Sequence, residues 1–134
     1  MKIEINKLSP EKIDVRFLKE FAEKAIKIVK LKNIEELSLV LVCDQRMKAL
    51  NKKYKKHDRT TDVLAFDYGE IILCLPQAKR QAEELKHSLK EELGILLVHG
   101  ILHLSGCDDG TKTQRDAMMK KQDKILIKIK NLPC

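Results

Sequence analysis

Apolar and polar residues alternate with two different periods along this chain of 134 residues, and the changes of period mark its elements. Residues 2–6 set Ile3 and Ile5 between polar neighbours, which predicts a short half-buried strand broken by Ser9-Pro10. From about residue 14 to 31 the period is helical. Val15, Leu18, Phe21, Ala22, Ala25, Ile26 and Val29 share one face, with Asp14 available as N-cap. Lys19, Lys24, Lys27 and Lys30 take the other face, which solvation alone explains. Residues 37–43, L-S-L-V-L-V-C, form a β-rich run, and Asp44 opens a short helix to about residue 53. Residues 63–66 predict a buried strand, Asp67-Tyr68-Gly69 a turn, and residues 70–73 the returning strand. Thr61 and Asp62 are expected to fix the preceding loop through side-chain to backbone hydrogen bonds.

The second half reads as helical. Pro76 suits the first position of a helix ending near Lys86, and Ser88 with Glu91 forms a capping box for the next. That next helix, residues 89 to about 104, is apolar on most sides and is expected to be the central buried one. Thr111 or Thr113 can cap a last helix running to about residue 130, with Met118, Ile125, Leu126 and Ile129 inward. The expected fold class is α/β or α+β: a small mixed sheet of about four strands packed by several helices. With no linker, repeat or low-complexity stretch, residues 1–134 read as one domain. Periodicity leaves the strand order open.

Composition sharpens this in two respects. Aromatic residues make up only 4% of the chain and Trp is absent, so the core must be aliphatic. The formal charge of +7 favours a polyanionic partner such as nucleic acid, although many small basic proteins bind nothing specific. Cys43, Cys74, Cys107 and Cys134 form no C-x-x-C pair, no apolar signal segment follows Met1, and no apolar run approaches a membrane span. The expectation is a soluble cytoplasmic protein with reduced thiols and no membrane partner.

The chemistry gathers in the central helix. His99 and His103 are four residues apart, so on a helix both imidazoles project from one face with Cβ atoms about 6 Å apart. Gly106 follows three residues later, where a left-handed glycine can end the helix and reverse the chain, and Asp109 can then swing back. H-x-x-x-H-x-x-G-x-x-D thus offers two nitrogens and one carboxylate oxygen, the three-ligand, one-open-position arrangement of catalytic zinc. A lone His pair in a Leu-rich helix is more often packing than a site. The placed glycine and the following carboxylate favour the metal, as does the cost of burying two unpartnered imidazoles. Asp108 is read as a hydrogen-bonding support to a ligating imidazole, and Cys107 as a packing neighbour or alternative soft ligand. The set also accepts nickel, iron or manganese.

A second constellation lies upstream. In residues 52–59, Lys52, Lys53, Lys55, Lys56 and Arg59 surround Tyr54, which suits single-stranded nucleic acid, with phosphates neutralised and one base stacked. An ordinary charged loop would look much the same.

These residues carry a resemblance. His99-Gly100-Ile101-Leu102-His103-Leu104-Ser105-Gly106-Cys107-Asp108 resembles the signature H-G-x-L-H-L-x-G-x-D-H of the YbeY family of bacterial rRNA-maturation endoribonucleases. Leu50-Asn51-Lys52-Lys53-Tyr54, Thr61-Asp62-Val63-Leu64-Ala65-Phe66, Gly69-Glu70-Ile71, and Glu92-Leu93 leading into Val98-His99-Gly100 match further blocks in the family's order. Two positions depart from it. The family's third ligand is a His where this chain has Asp109, and its Arg after the aromatic of the first block is Lys55 here. Asp ligates zinc through oxygen, so the site is expected to survive with altered metal preference. Lys keeps the charge but loses the bidentate fork that fits a phosphate.

The resemblance implies a metal in a cleft beside the central helix, one Zn2+ per chain, and a single-strand-directed endoribonuclease. It further implies action on the 3′ end of small-subunit (16S) rRNA, a role in ribosome quality control, and the small ribosomal subunit as partner. On this reading Lys55, His99 and His103 are catalytic, with Lys55 contacting phosphate. Two other classes remain open. A metallopeptidase or amidohydrolase would use the same ligands. However, Gly100 stands where H-E-x-x-H peptidases carry their general base, so Glu70 or Asp108 would have to serve. A non-catalytic ribosome-binding module would keep the basic stretch and close the metal's fourth position, for instance with Cys107.

Overall fold

The computed structural model describes residues 1–55 and 61–132, the side chain of Lys55 excepted. The elements follow in the order β1 (Lys2–Lys7), α1 (Val15–Val29), β2 (Glu36–Val42), α2 (Asp44–Lys55), β3 (Val63–Phe66), β4 (Glu70–Cys74), α3 (Leu75–Leu85), α4 (Leu89–Leu104) and α5 (Lys112–Asn131). The four strands form one mixed sheet in the order β1-β2-β4-β3. The β1–β2 and β2–β4 pairs are parallel, whereas β3 runs antiparallel to β4 and forms the edge opposite β1.

Alternation along the inner strands divides the core. Leu37, Leu39 and Leu41 of β2, with Ile71 and Leu73 of β4, face a cluster built with α1, α4 and α5. Val42, Ile72 and Cys74 turn to the other face, where Met47 of α2 covers them together with Leu64 of β3. Burial on both faces explains why these strands read as nearly continuous apolar runs. The aliphatic core follows as expected, with α4 at its centre. Its Leu93, Leu97, Val98 and Ile101 are completely buried, and it packs on α1, α3, α5, β3 and β4.

Local signals set most boundaries. Asp14 accepts from the backbone N–H of Arg16 and Phe17, and Ser88 and Thr111 each close a full capping box. Of the two threonines considered for α5, Thr111 is the cap. Val15, expected inward, is 38% exposed because it is the first residue of α1, and burial begins at Leu18. Helix α2 continues two residues beyond the expected end, which puts Tyr54 on a helix. No breaker stops it there. The β3–β4 turn depends on Gly69, whose φ of +112° suits glycine, and a Cβ there would lie 2.6 Å from the Glu36 carbonyl oxygen.

Candidate metal centre and adjoining cleft

Helix α4 ends in a way that builds the site. Gly106 takes φ +102°, its N–H bonds the carbonyl of His103 at 3.0 Å, and the N–H of Cys107 bonds that of Leu102 at 3.0 Å. This is a Schellman closure, which reverses the chain at once. No atom lies within 4 Å of a Cβ built on Gly106, so the backbone angle alone demands glycine.

The reversal returns Asp109 to the two histidines. Its Oδ2 lies 3.5 Å from His99 Nε2 and 3.3 Å from His103 Nε2, and the two imidazole nitrogens are 3.2 Å apart. A tetrahedral ion with bonds of about 2.0–2.2 Å holds its ligand atoms roughly 3.3–3.6 Å apart. The triangle therefore fits such an ion closely. Among the described residues this is the one group of His, Cys, Asp and Glu side chains able to hold a metal.

His99 is oriented from behind. Gln122 of α5, almost fully buried, sets its Oε1 3.1 Å from His99 Nδ1. An amide oxygen only accepts, so Nδ1 carries the proton and Nε2 keeps a lone pair, the form a metal would bind. Gly100, next to His99, has a packing role. A Cβ there would come within 3.1 Å of Ile71 Cδ1, so its absence lets α4 settle against β4.

His99, His103 and Asp109 lie on the wall of an open cleft of 520 Å³ that Asn51, Asp62, Val63, Ala65 and Gly100 also line. Asp62 is braced in it. Its Oδ1 accepts from the N–H of Val63 at 2.8 Å, as expected of a loop-fixing aspartate, and its Oδ2 receives Gln81 Nε2 at 3.3 Å. Gln81 Nε2 also donates to Glu92 Oε2 at 2.8 Å, and His87 Nε2 meets Glu92 Oε1 at 2.7 Å. Glu92, buried in the first turn of α4, thus has both oxygens satisfied.

Other expected residues fall elsewhere. Cys107 does not join the ligand group; Lys121 Nζ and Ser105 Oγ each approach its sulfur to 3.7 Å. Asp108 is exposed and does not line the cleft. Glu70 receives the Tyr68 hydroxyl at 2.7 Å, a bond that pushes the Tyr68 phenol up to about 12. In the basic stretch, Tyr54 is half exposed, with Lys53 Nζ 5.2 Å from its ring centre, and Lys52 lies on the same helix. Lys56, Arg59 and the Lys55 side chain lie outside the described residues, as does Cys134. Cys43, Cys74 and Cys107 are free thiols, and no described helix is long and apolar enough to cross a membrane.

Gln122 and Gln81 carry no recognisable signal as site residues in the sequence, and Glu92 stands out there only as part of a block shared with the family. A polar residue on the inward face of an amphipathic helix, as Gln122 is relative to Met118 and Ile125, is the one local cue that would have found any of them.

Known proteins match this chain over most of its length. The family model for endoribonuclease YbeY matches residues 3–130. Endoribonuclease YbeY of Sulfurihydrogenibium sp. is 40% identical over 96% of this chain and 92% of its own, and that of Aquifex aeolicus 41% identical over 76% and 74%. The solution structure of TM1509 from Thermotoga maritima superposes with a TM-score of 0.69 at 31% identity, covering 95% of this chain and 88% of that one. By its nearly complete match to the family model and by relatives aligned over most of their length, this chain belongs to the YbeY endoribonuclease family.

Proposed function

We propose that residues 1–134 act as one domain, a cytoplasmic, zinc-dependent, single-strand-specific endoribonuclease that trims the 3′ end of small-subunit (16S) rRNA and serves ribosome quality control, with the small ribosomal subunit as partner. The observation that carries the metal-dependent part is the triangle of His99 Nε2, His103 Nε2 and Asp109 Oδ2, with edges of 3.2–3.5 Å, opening on a cleft. The ribosomal part rests on the family. A divalent ion held there supplies a water of pKa lowered toward about 7 and a Lewis acid for a phosphoryl oxygen.

The chain's own groups do the remaining work. Gln122 holds the His99 ring in the metal-binding tautomer. Asp62, braced by Gln81, presents a carboxylate to the cleft, and Asn51 lines the same space. Lys52, Lys53 and Lys55 on α2, followed by Lys56 and Arg59, supply positive charge for the phosphates, with Lys55 assigned to the phosphate contact. Tyr54 offers a ring for one base. The position of Cys107, outside the ligand triangle, supports an open fourth position over a closed structural one. Gly100 beside His99, with Glu70 and Asp108 off the cleft, argues against a peptidase base.

The test is metal content by elemental analysis of protein purified without chelator, together with cleavage of a single-stranded RNA. One equivalent of metal, lost in His103→Ala and Asp109→Ala along with cleavage, is the expected result. Stoichiometric metal without cleavage would move the reading to a ribosome-binding module, and absence of metal from active protein would overturn the metallo-enzyme.

A further inference from the structure

Three of the five aromatic residues of this chain gather outside its main core, at one edge of the sheet. Phe66, the last residue of β3, is half-buried against α2. The ring of Tyr68, in the turn that follows, lies 5.7 Å from it at an interplanar angle of 18°, an offset stack. Tyr54 of α2 meets Phe66 from the other side, edge-on at 5.1 Å. Tyr68 is 71% exposed and Tyr54 51% exposed, so burial does not account for their placement.

We propose that Tyr54, Phe66 and Tyr68 form a stacking platform for unpaired bases of a single-stranded RNA that continues from the metal cleft around the edge of β3. The proposal rests on the RNA-cleaving reading above and extends it to the recognition of single strands.

Four observations favour bases as the occupant. The Tyr68 hydroxyl is tied to Glu70 Oε1 at 2.7 Å, so an exposed ring is held in one orientation and little side-chain freedom is lost on binding. That same carboxylate repels phosphate, which leaves the uncharged base as the part of a nucleotide suited to Tyr68. At the other end, Lys53 Nζ stands 5.2 Å from the Tyr54 ring centre and offers a cation for the backbone, in a chain of net charge +7. Finally, the platform is continuous with the cleft. Val63, Leu64 and Ala65, which line the cleft, precede Phe66 on β3, and Asn51, also in the cleft wall, lies one helical turn before Tyr54 on α2. A duplex keeps its base faces stacked inside and has none to offer, so a platform of this kind selects for single strands.

The chain provides its own probe, because Tyr54 and Tyr68 are its only tyrosines and it has no tryptophan. In full-length protein carrying His103→Ala to spare the RNA and Tyr54→Phe, all ring emission at tyrosine wavelengths comes from Tyr68. Titration with a short oligouridylate should quench that emission, and an oligomer of equal charge lacking the central bases should quench little and bind about tenfold more weakly. Tyr68→Ala should cost a similar factor for the oligouridylate, whereas Tyr68→Phe, which keeps the ring, should recover most of it. Equal affinity for both oligomers, or full affinity in Tyr68→Ala, would overturn the platform while leaving RNA binding intact. Failure of metal-loaded wild-type protein to bind either oligomer, made non-cleavable, would instead remove the RNA-cleaving reading, and the platform with it.

Discussion

The two ends of helix α4 treat polar groups in opposite ways. Near its N-terminus, Glu92 is 3% exposed and both its oxygens are taken, one by His87 and one by Gln81. Near its C-terminus, His99 and His103 keep side-chain exposures of 30% and 28%, and their Nε2 atoms converge with a carboxylate oxygen on open space. Both ends put costly groups on an apolar helix, but one closes its hydrogen bonds inside the protein and the other leaves nitrogen and oxygen atoms converging at an open cleft. The difference separates structure from chemistry. A satisfied buried carboxylate holds elements in register, whereas convergent, half-exposed donors are what a metal requires.

Exchanging the two ends by mutation should separate stability from activity. The largest effect is expected at the open end: His103→Ala should abolish metal binding and lower RNA cleavage by at least roughly a hundredfold, while the unfolding midpoint of metal-free protein changes little. At the closed end, Glu92→Ala strips His87 and Gln81 of their shared acceptor. It should lower stability by about 3 kcal/mol in urea unfolding, yet leave metal stoichiometry at one in the protein that remains folded. If Glu92→Ala instead removed the metal, the two ends would be one unit and the contrast would fail.

Smaller effects sharpen the boundary. Gln122→Leu keeps the side chain's bulk but frees His99 Nδ1, and metal affinity should fall roughly 10- to 100-fold in a competition titration. On α3, the Arg80 guanidinium beside Asp44, at 2.7 and 3.0 Å, holds that carboxyl below its usual range and ties α3 to α2. Both side chains are more than 40% exposed, so Arg80→Ala should cost less than about 1 kcal/mol at neutral pH. A depressed carboxyl contributes above its ordinary value of 3.8 and loses that contribution as pH falls through the lowered one. The difference between wild type and Arg80→Ala should therefore be full at pH 7 and shrink once the pH drops below 3.8.

The parts legible in sequence share a short range. The capping box at Ser88 joins residues three apart, Thr111 was one of two threonines able to cap α5, and the His99–His103–Asp109 triangle is written within residues 99–109 because helical spacing and one left-handed glycine suffice to close it. Extrapolation failed where a local rule had to yield to a neighbour. Val15 carried the right period but stands at the unpacked start of α1, and Asp108, next to Asp109 in sequence, is exposed and does not line the cleft that Asp109 lines.

The sequence by itself thus determined the elements, the aliphatic core and the His99–His103–Asp109 set, all of which follow from periodicity and backbone preference over a turn or two. The tertiary structure alone decided that β1 and β3 are the edge strands and that Gln81 reaches Asp62 across 19 residues and Gln122 reaches His99 across 23. It also decided that Gly100 is needed against Ile71, and that Tyr54 and Tyr68 flank Phe66. No periodicity encodes those pairings, because they depend on how packed layers bring distant segments together, and many different segments could satisfy the same local pattern.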